Sequence, residues 1–152
     1  MNRHCRMYAC TALVFLVLTT LTLSCASKMP VLYREDGSPL LITDYEKIAQ
    51  REFDERRYEN AIAAYSMIIS NYPENRTALT WAHYEIGFCY YMMEDLDQAE
   101  FYFRIVLNEF SEPAASILAD MMIDKIDEAR ELEQRKKERW ERWRNRAQEK
   151  TE

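Results

Sequence analysis

From Thr43 onward the sequence predicts an all-α chain: two helical hairpins stacked as a short α-solenoid, closed by a long C-terminal helix. Composition is the first reason. The 110 residues after Ile42 hold one glycine, Gly87, and two prolines, Pro73 and Pro113, and are rich in Tyr, Ala, Ile, Met, Glu and Arg. The second is internal repetition. Small and large apolar residues recur at a constant offset of 38, as Ala49/Gly87, Ala61/Ala99 and Tyr65/Phe103. Third, polar clusters that suit helix termini separate the apolar runs.

The chain begins differently. "MNRHCRM" carries Arg3 and Arg6, and the apolar run that follows has no charge before Lys28. A basic start, an apolar run of about 16 residues and small residues at its end fit an export signal over residues 1–24, since a bilayer core needs about 20. "LTLSC", residues 21–25, resembles the bacterial lipobox, with Ser24 at the small position and Thr22 where Leu usually stands. An uncleaved signal anchor and a plain secreted protein are the competing readings. The resemblance implies cleavage before Cys25, a diacylglyceryl group on its sulfur and an acyl chain on its new amino group. Two or more chains make attachment stable where one does not. Cys5 and Cys10 leave with the signal, so Cys89 is the remaining thiol and no internal disulfide framework is available. The mature chain of 128 residues suffices for one modest domain.

Residues 25–42, the lipidated N-terminus and tether, contain Pro30, Gly37 and Pro39 and show no helical periodicity. Its end, Leu40 to Ile42, is apolar enough to dock. Seventeen extended residues would reach about 55–60 Å. Next, "TDYE" at Thr43–Glu46 and "DLDQ" at Asp95–Gln98 have the form of capping boxes. They place helices over about 44–56 and 96–110, with others over about 58–71, 76–93 and 113–149. The last has Pro113 in its first turn and an apolar stripe of Ile117, Leu118, Met121, Met122, Ile126, Ala129 and Leu132. Lys125 and Glu128 occupy the small and Tyr positions of a third repeat, so residues 113–152 read as a capping helix with a basic tail.

The aligned segments also pair Ile48 with Ile86, Phe53 with Tyr91 and Tyr72 with Phe110. Small residues let two helices approach, and large ones fill the space beside them. This pattern resembles the tetratricopeptide repeat over residues 43–112, with Ile86-Gly87, Tyr90, Ala99 and Phe103 at the repeat's own spacing. The first unit has Glu52 where Tyr is usual. Its period exceeds the usual 34, and the extra residues fall in "ENRTALTW" as one more turn. Long units of this kind, with "NYP" closing one and Y-x-x-G-x-x-Y-Y in the next, are similar to the repeats of BamD-type outer-membrane assembly lipoproteins. They are also similar to those of CpoB-type periplasmic coordinators of cell-wall synthesis and division.

Residues that carry chemistry are scarce. Two glycines in the whole chain leave no phosphate-cradling loop. His83 is the one histidine after processing, and Cys89 has no second Cys or activating His, so both read as packing residues. The carboxylates lack calcium-ligand spacing. No enzyme, cofactor, metal or small-molecule substrate is expected. What remains is binding. Trp81, Tyr84, Phe88 and Tyr91 share an arc of about 80° on one helix, and either neighbouring helices bury it or it forms a partner groove for an apolar peptide. His83, Ile86, Gly87 and Tyr90 occupy another arc and pack within the repeat.

Charge divides the chain. Residues 25–134 carry 10 basic and 22 acidic side chains, and residues 135–152 carry 8 and 4. The tail holds Arg135, Lys136, Lys137, Arg139, Trp140, Arg142, Trp143, Arg144 and Arg146. It is either a solvated helix end stabilised by Glu–Arg pairs or a contact for an anionic surface, whether leaflet or acidic partner. Nucleic acid is not expected of an exported, acidic protein. The expected location is the bacterial cell envelope, lipid-anchored and facing the periplasm. Ala26 after the cysteine favours the outer membrane over retention at the inner one. The expected work is to hold envelope proteins near the membrane as an interaction scaffold.

Overall fold

The computed structural model describes residues 32–149. The signal over residues 1–24 and the lipidation at Cys25 lie outside the described residues. Among the described residues five helices follow one another: α1 (Ile42–Asp54), α2 (Tyr58–Asn71), α3 (Arg76–Met92), α4 (Leu96–Glu109) and α5 (Pro113–Glu149). Each packs on the next, and α5 also touches α3. Residues 42–149 form the all-α stack of two hairpins and a long terminal helix that the sequence predicts. No helix among the described residues is long and apolar enough to cross a membrane.

The repeat is kept in backbone detail. α2 and α4 have 14 residues each and begin 38 residues apart. The hairpin turns place Arg56 at φ 59° and Glu94 at φ 62°, also 38 apart. Each such residue reverses the chain after its helix, and the next N–H returns to a carbonyl of the last turn, Arg57 to Glu52 at 2.8 Å and Asp95 to Tyr90 at 3.0 Å. α3 is four residues longer than α1, 17 against 13, and the surplus is an extra first turn opened by Asn75, whose side chain accepts from the Ala78 N–H.

Small residues set the helix spacing. Ala49, Ala61 and Ala99 are fully buried. At Gly87, an added Cβ would stand 3.0 Å from Cε1 of Phe103 and 3.2 Å from Cβ of Tyr102. This close approach of α3 to α4 is what the glycine serves. One core joins α1, α2 and α3 around Tyr45, Tyr65, Ile68 and Ile86. A second joins α4 and α5 around Phe103, Val106, Met122 and Ile126.

Three local expectations are corrected. The helix expected from residue 44 starts at Ile42 behind Leu41, and no side chain caps it, so Thr43 is not a cap. Docking sets this start: the Tyr72 hydroxyl donates to the Leu40 carbonyl at 2.6 Å, and Leu40 and Ile42 pack on the first core. The docked stretch also begins earlier than Leu40. Residues 32–41 fold into a turn, with Gly37 at φ 79° and Tyr33 bridged to Pro39. The buried Tyr45 ring anchors that turn, its hydroxyl donating to the Leu32 carbonyl at 2.9 Å and accepting from the Leu40 N–H at 3.2 Å. Finally, α5 buries Ala115, Ala119, Met122, Ile123 and Ile126, while Ile117, Leu118, Met121 and Leu132 of the expected stripe are exposed. The two alanines let α4 come close on their side, and Arg130 clamps that face by pairing with Asp97 at 2.6 Å and with Glu100.

Candidate functional site

α1 and α3, the first helices of the two hairpins, lie side by side with α2 behind them. Thr43, Glu46, Lys47 and Gln50 form one wall of a shallow depression, and Ala78, Trp81, Ala82 and Glu85 form the other. Tyr65 and Ile68 of α2 make its floor, and its volume is about 500 Å³. Wall residues come from successive turns because side chains three or four apart share a helix face.

A second depression opens at the other end of α3, between the α3–α4 turn and α5. Tyr91, Met92, Glu94 and Leu96 face Ala129, Leu132 and Glu133 across it. The aromatic arc connects the two. Trp81 meets Tyr84 edge-on at 5.9 Å, Tyr84 stacks with Phe88 at 6.4 Å, and Phe88 stacks with Tyr91 at 6.3 Å. Phe53 of α1 adds a ring 5.6 Å from Phe88. All four arc residues are half-buried, packed on one side against the second core. The arc is neither fully buried nor fully open: one edge is packed, and the other remains in solvent.

Glu85 is the residue that sequence reasoning passed over. It is four residues from Trp81 and so shares its face, which was the available signal. Half-buried in the depression wall, its carboxyl is raised above the usual carboxylate range by burial. Among the described residues that carboxyl makes no hydrogen bond or ion pair. A desolvated acid of this kind favours either a proton or a cation brought by a ligand.

The remaining polar residues have structural roles. The Cys89 thiol is fully buried in the first core and pushed up to about 12 by burial, then by Glu85, which favours the neutral thiol. His83 Nδ1 lies 2.8 Å from the Leu79 carbonyl, and its ring stands 5.4 Å from that of Phe110. No group of three or more His, Cys, Asp or Glu among the described residues could hold a metal ion.

The basic tail does not reach either depression. From Arg142 to Glu149 every side chain of α5 is exposed, Trp140 and Trp143 at 55 % and 59 %. Arg135 pairs with Glu131 at 3.1 Å, Lys136 with Glu133 at 2.6 Å and Arg142 with Glu138 at 3.6 Å, while Arg144 covers the Trp140 ring at 4.7 Å. Lys137, Arg139 and Arg146 are also on this stretch, with their charges toward water.

No curated protein and no solved structure matches the chain. A family model does: the tetratricopeptide repeat matches residues 44–75 and 81–112. Those segments hold both hairpins, with the buried alanines, the close approach at Gly87 and the paired turns described above. The two hairpins are therefore similar to tetratricopeptide repeats over residues 44–75 and 81–112, repeats of a kind that commonly mediate contacts between proteins.

Proposed function

We propose that this chain is a lipid-anchored scaffold of the bacterial cell envelope, which holds a partner protein in the depression between α1 and α3. The depression carries this reading: Trp81, the first ring of the half-buried aromatic row, lines it beside Glu85, whose carboxyl makes no ion pair among the described residues. The matching ligand is an apolar peptide segment that brings one Lys or Arg to Glu85 while its apolar side chains lie on Trp81 and Tyr84. Truncating a central aromatic anchor of such an interface costs about 2 kcal/mol or more.

The envelope location rests on the basic start, apolar run and "LSC" before Cys25. Outer-membrane protein assembly is the process that the BamD-like repeat pattern favours. The test places a photoreactive phenylalanine analogue at Tyr84 in the full-length chain, in envelopes solubilised with mild detergent. A cross-link to a specific envelope protein, lost in Glu85→Lys but kept in Gln50→Ala, supports the proposal. Cross-links that ignore Glu85→Lys, or none, overturn it. Barrel-assembly proteins in the cross-link support the favoured process, and peptidoglycan-synthesis proteins replace it with cell-wall coordination.

A further inference from the structure

Five exposed apolar side chains of α5, together with the half-buried Ala129, form a pattern, with Ile117 outside it. Leu118 and Met121, Ala129 and Leu132, and Trp140 and Trp143 are three pairs, the members three positions apart and successive pairs offset by 11. Eleven residues are three turns of a straight helix and about 20° more, so successive pairs drift only slowly around it. At about 100° per residue all six fall within an arc of about 100°. That arc lies about a quarter turn from the face packed on α4. Leu118, Met121 and Leu132 are 38 %, 52 % and 46 % exposed. The spacing reads the same from either end, and its midpoint falls between Arg130 and Glu131.

Charge along the same helix has the matching polarity. Residues 113–134 carry two basic and six acidic side chains, a net of −4, and residues 135–149 carry seven and three, a net of +4. A parallel pair of such helices would set like halves against each other. An antiparallel pair sets each acidic half against a basic one.

We infer that α5 is a homodimerisation helix, pairing antiparallel with the α5 of a second copy about a two-fold axis at the Arg130–Glu131 midpoint. In that register Leu118 meets Trp143 of the second copy, Met121 meets its Trp140, and Ala129 meets its Leu132. The seam runs about 38 Å, at 1.5 Å per residue. The interface is isologous, as two-fold symmetry requires. Lys125 and Lys136 face each other across it, which is a cost. Lys136 already holds Glu133 of its own chain at 2.6 Å, and the stems of both lysines can lie along the apolar seam. An anionic leaflet fits less well, because it accepts the basic half of this stripe but repels the acidic half and leaves Leu118, Met121 and Leu132 uncovered.

The experiment uses two full-length variants in nonionic detergent, with mass read by sedimentation. One carries Asp120→Lys, Asp124→Lys and Glu128→Lys; the other carries Arg139→Glu, Arg142→Glu and Arg146→Glu. All six positions are exposed, so the fold is retained, as circular dichroism verifies. The wild-type chain is expected to be a dimer that weakens with salt, each variant alone a monomer, and their equimolar mixture a heterodimer. A photoreactive group at Trp140 in the wild-type chain is expected to cross-link the Met121 peptide of the second copy. A monomeric wild-type chain overturns the proposal. So does a mixture that stays monomeric, or Trp140 adducts formed on lipid alone in phosphatidylglycerol vesicles.

Discussion

Arg57 Nε lies 2.6 Å from Oε2 of Glu52, a residue only 3 % exposed, and Asn60 Nδ2 donates to the same oxygen at 2.9 Å. The equivalent positions in the second repeat are Tyr90, Asp95 and Gln98. There Tyr90 stacks on Tyr102 at 5.5 Å, and Asp95 accepts from the Gln98 N–H at 3.2 Å. One hairpin closes its turn with a buried charge, the other with a ring and a cap.

This difference predicts a pH dependence. The Arg57 guanidinium, with Asn60 and Arg51, lowers the Glu52 carboxyl from its ordinary 4.5 to about 2. A depressed folded value means that the stabilisation is complete above about pH 4.5 and is lost as pH falls toward about 2. Glu52→Gln is expected to cost about 1.5–3 kcal/mol at neutral pH through lost charged hydrogen bonds. Urea midpoints of the wild type and the variant should converge as the solution is acidified through that window. Part of the wild-type slope persists in the variant, because Arg130 and then Arg104 lower Glu100 in the same direction.

Gly87 predicts a steric limit. Gly87→Ala gains about 1 kcal/mol of helix propensity but drives a methyl into the Phe103 ring, and overpacking of this kind costs about 1–3 kcal/mol. The expected net effect is a loss of about 1 kcal/mol, with Gly87→Leu losing about 3 kcal/mol or more. Denaturant melts of the two variants measure this. Equal stability of all three proteins would mean that α3 and α4 can move apart freely.

Tyr45→Phe should release the turn over residues 32–41 without unfolding the repeats. The ring stays in the core, and the hydroxyl's bonds to Leu32, Leu40 and Asn71 are lost. A cost of about 1–2 kcal/mol is expected. Hydrogen exchange at the backbone amides of Arg34, Gly37 and Leu40 should accelerate while that of α3 is unchanged.

Cys25→Ser is the direct test of the anchor. The variant should take up no labelled fatty acid and accumulate as uncleaved precursor. Normal processing of this variant would remove the lipoprotein reading and leave the repeats as they are.

Deleting residues 135–152 should change unfolding stability by about 1 kcal/mol or less, measured where the chain is monomeric. The pairs that line this stretch are exposed, and such helix pairs contribute only about 0.3–0.5 kcal/mol each. A large loss would show that the tail folds back on the body.

How legible all this was in the sequence depended on the range of the interaction. The hairpins were legible because Ala49/Gly87 and Ala61/Ala99 encode helix contact locally, and both pairs are buried. The extra turn of α3 followed from simple counting. The docked turn at residues 32–41 was not visible, since it depends on Tyr45 and Tyr72 reaching back across the chain, which periodicity does not register. The packed face of α5 was drawn too wide because apolarity alone does not say which of two adjacent stripes meets α4. Ala115 and Ala119 carried that information, by the same small-residue logic that had located the hairpins. The aromatic row was recognisable as a row; its half-buried state followed only from where α4, α5 and Phe53 sit.

The docked turn has a geometric consequence for an anchored chain. Because residues from Leu32 onward are held on the first repeat, the covalent reach from Cys25 to Leu32 is bounded by seven residue steps, at most about 25 Å. A lipid on Cys25 would thus keep the α1–α2 end of the stack within one short leash of the bilayer. Any membrane-embedded partner would then be met by a search in two dimensions, at an effective concentration that the leash length sets. Releasing the turn would lengthen the leash and dilute that encounter, even with the depression between α1 and α3 left unchanged.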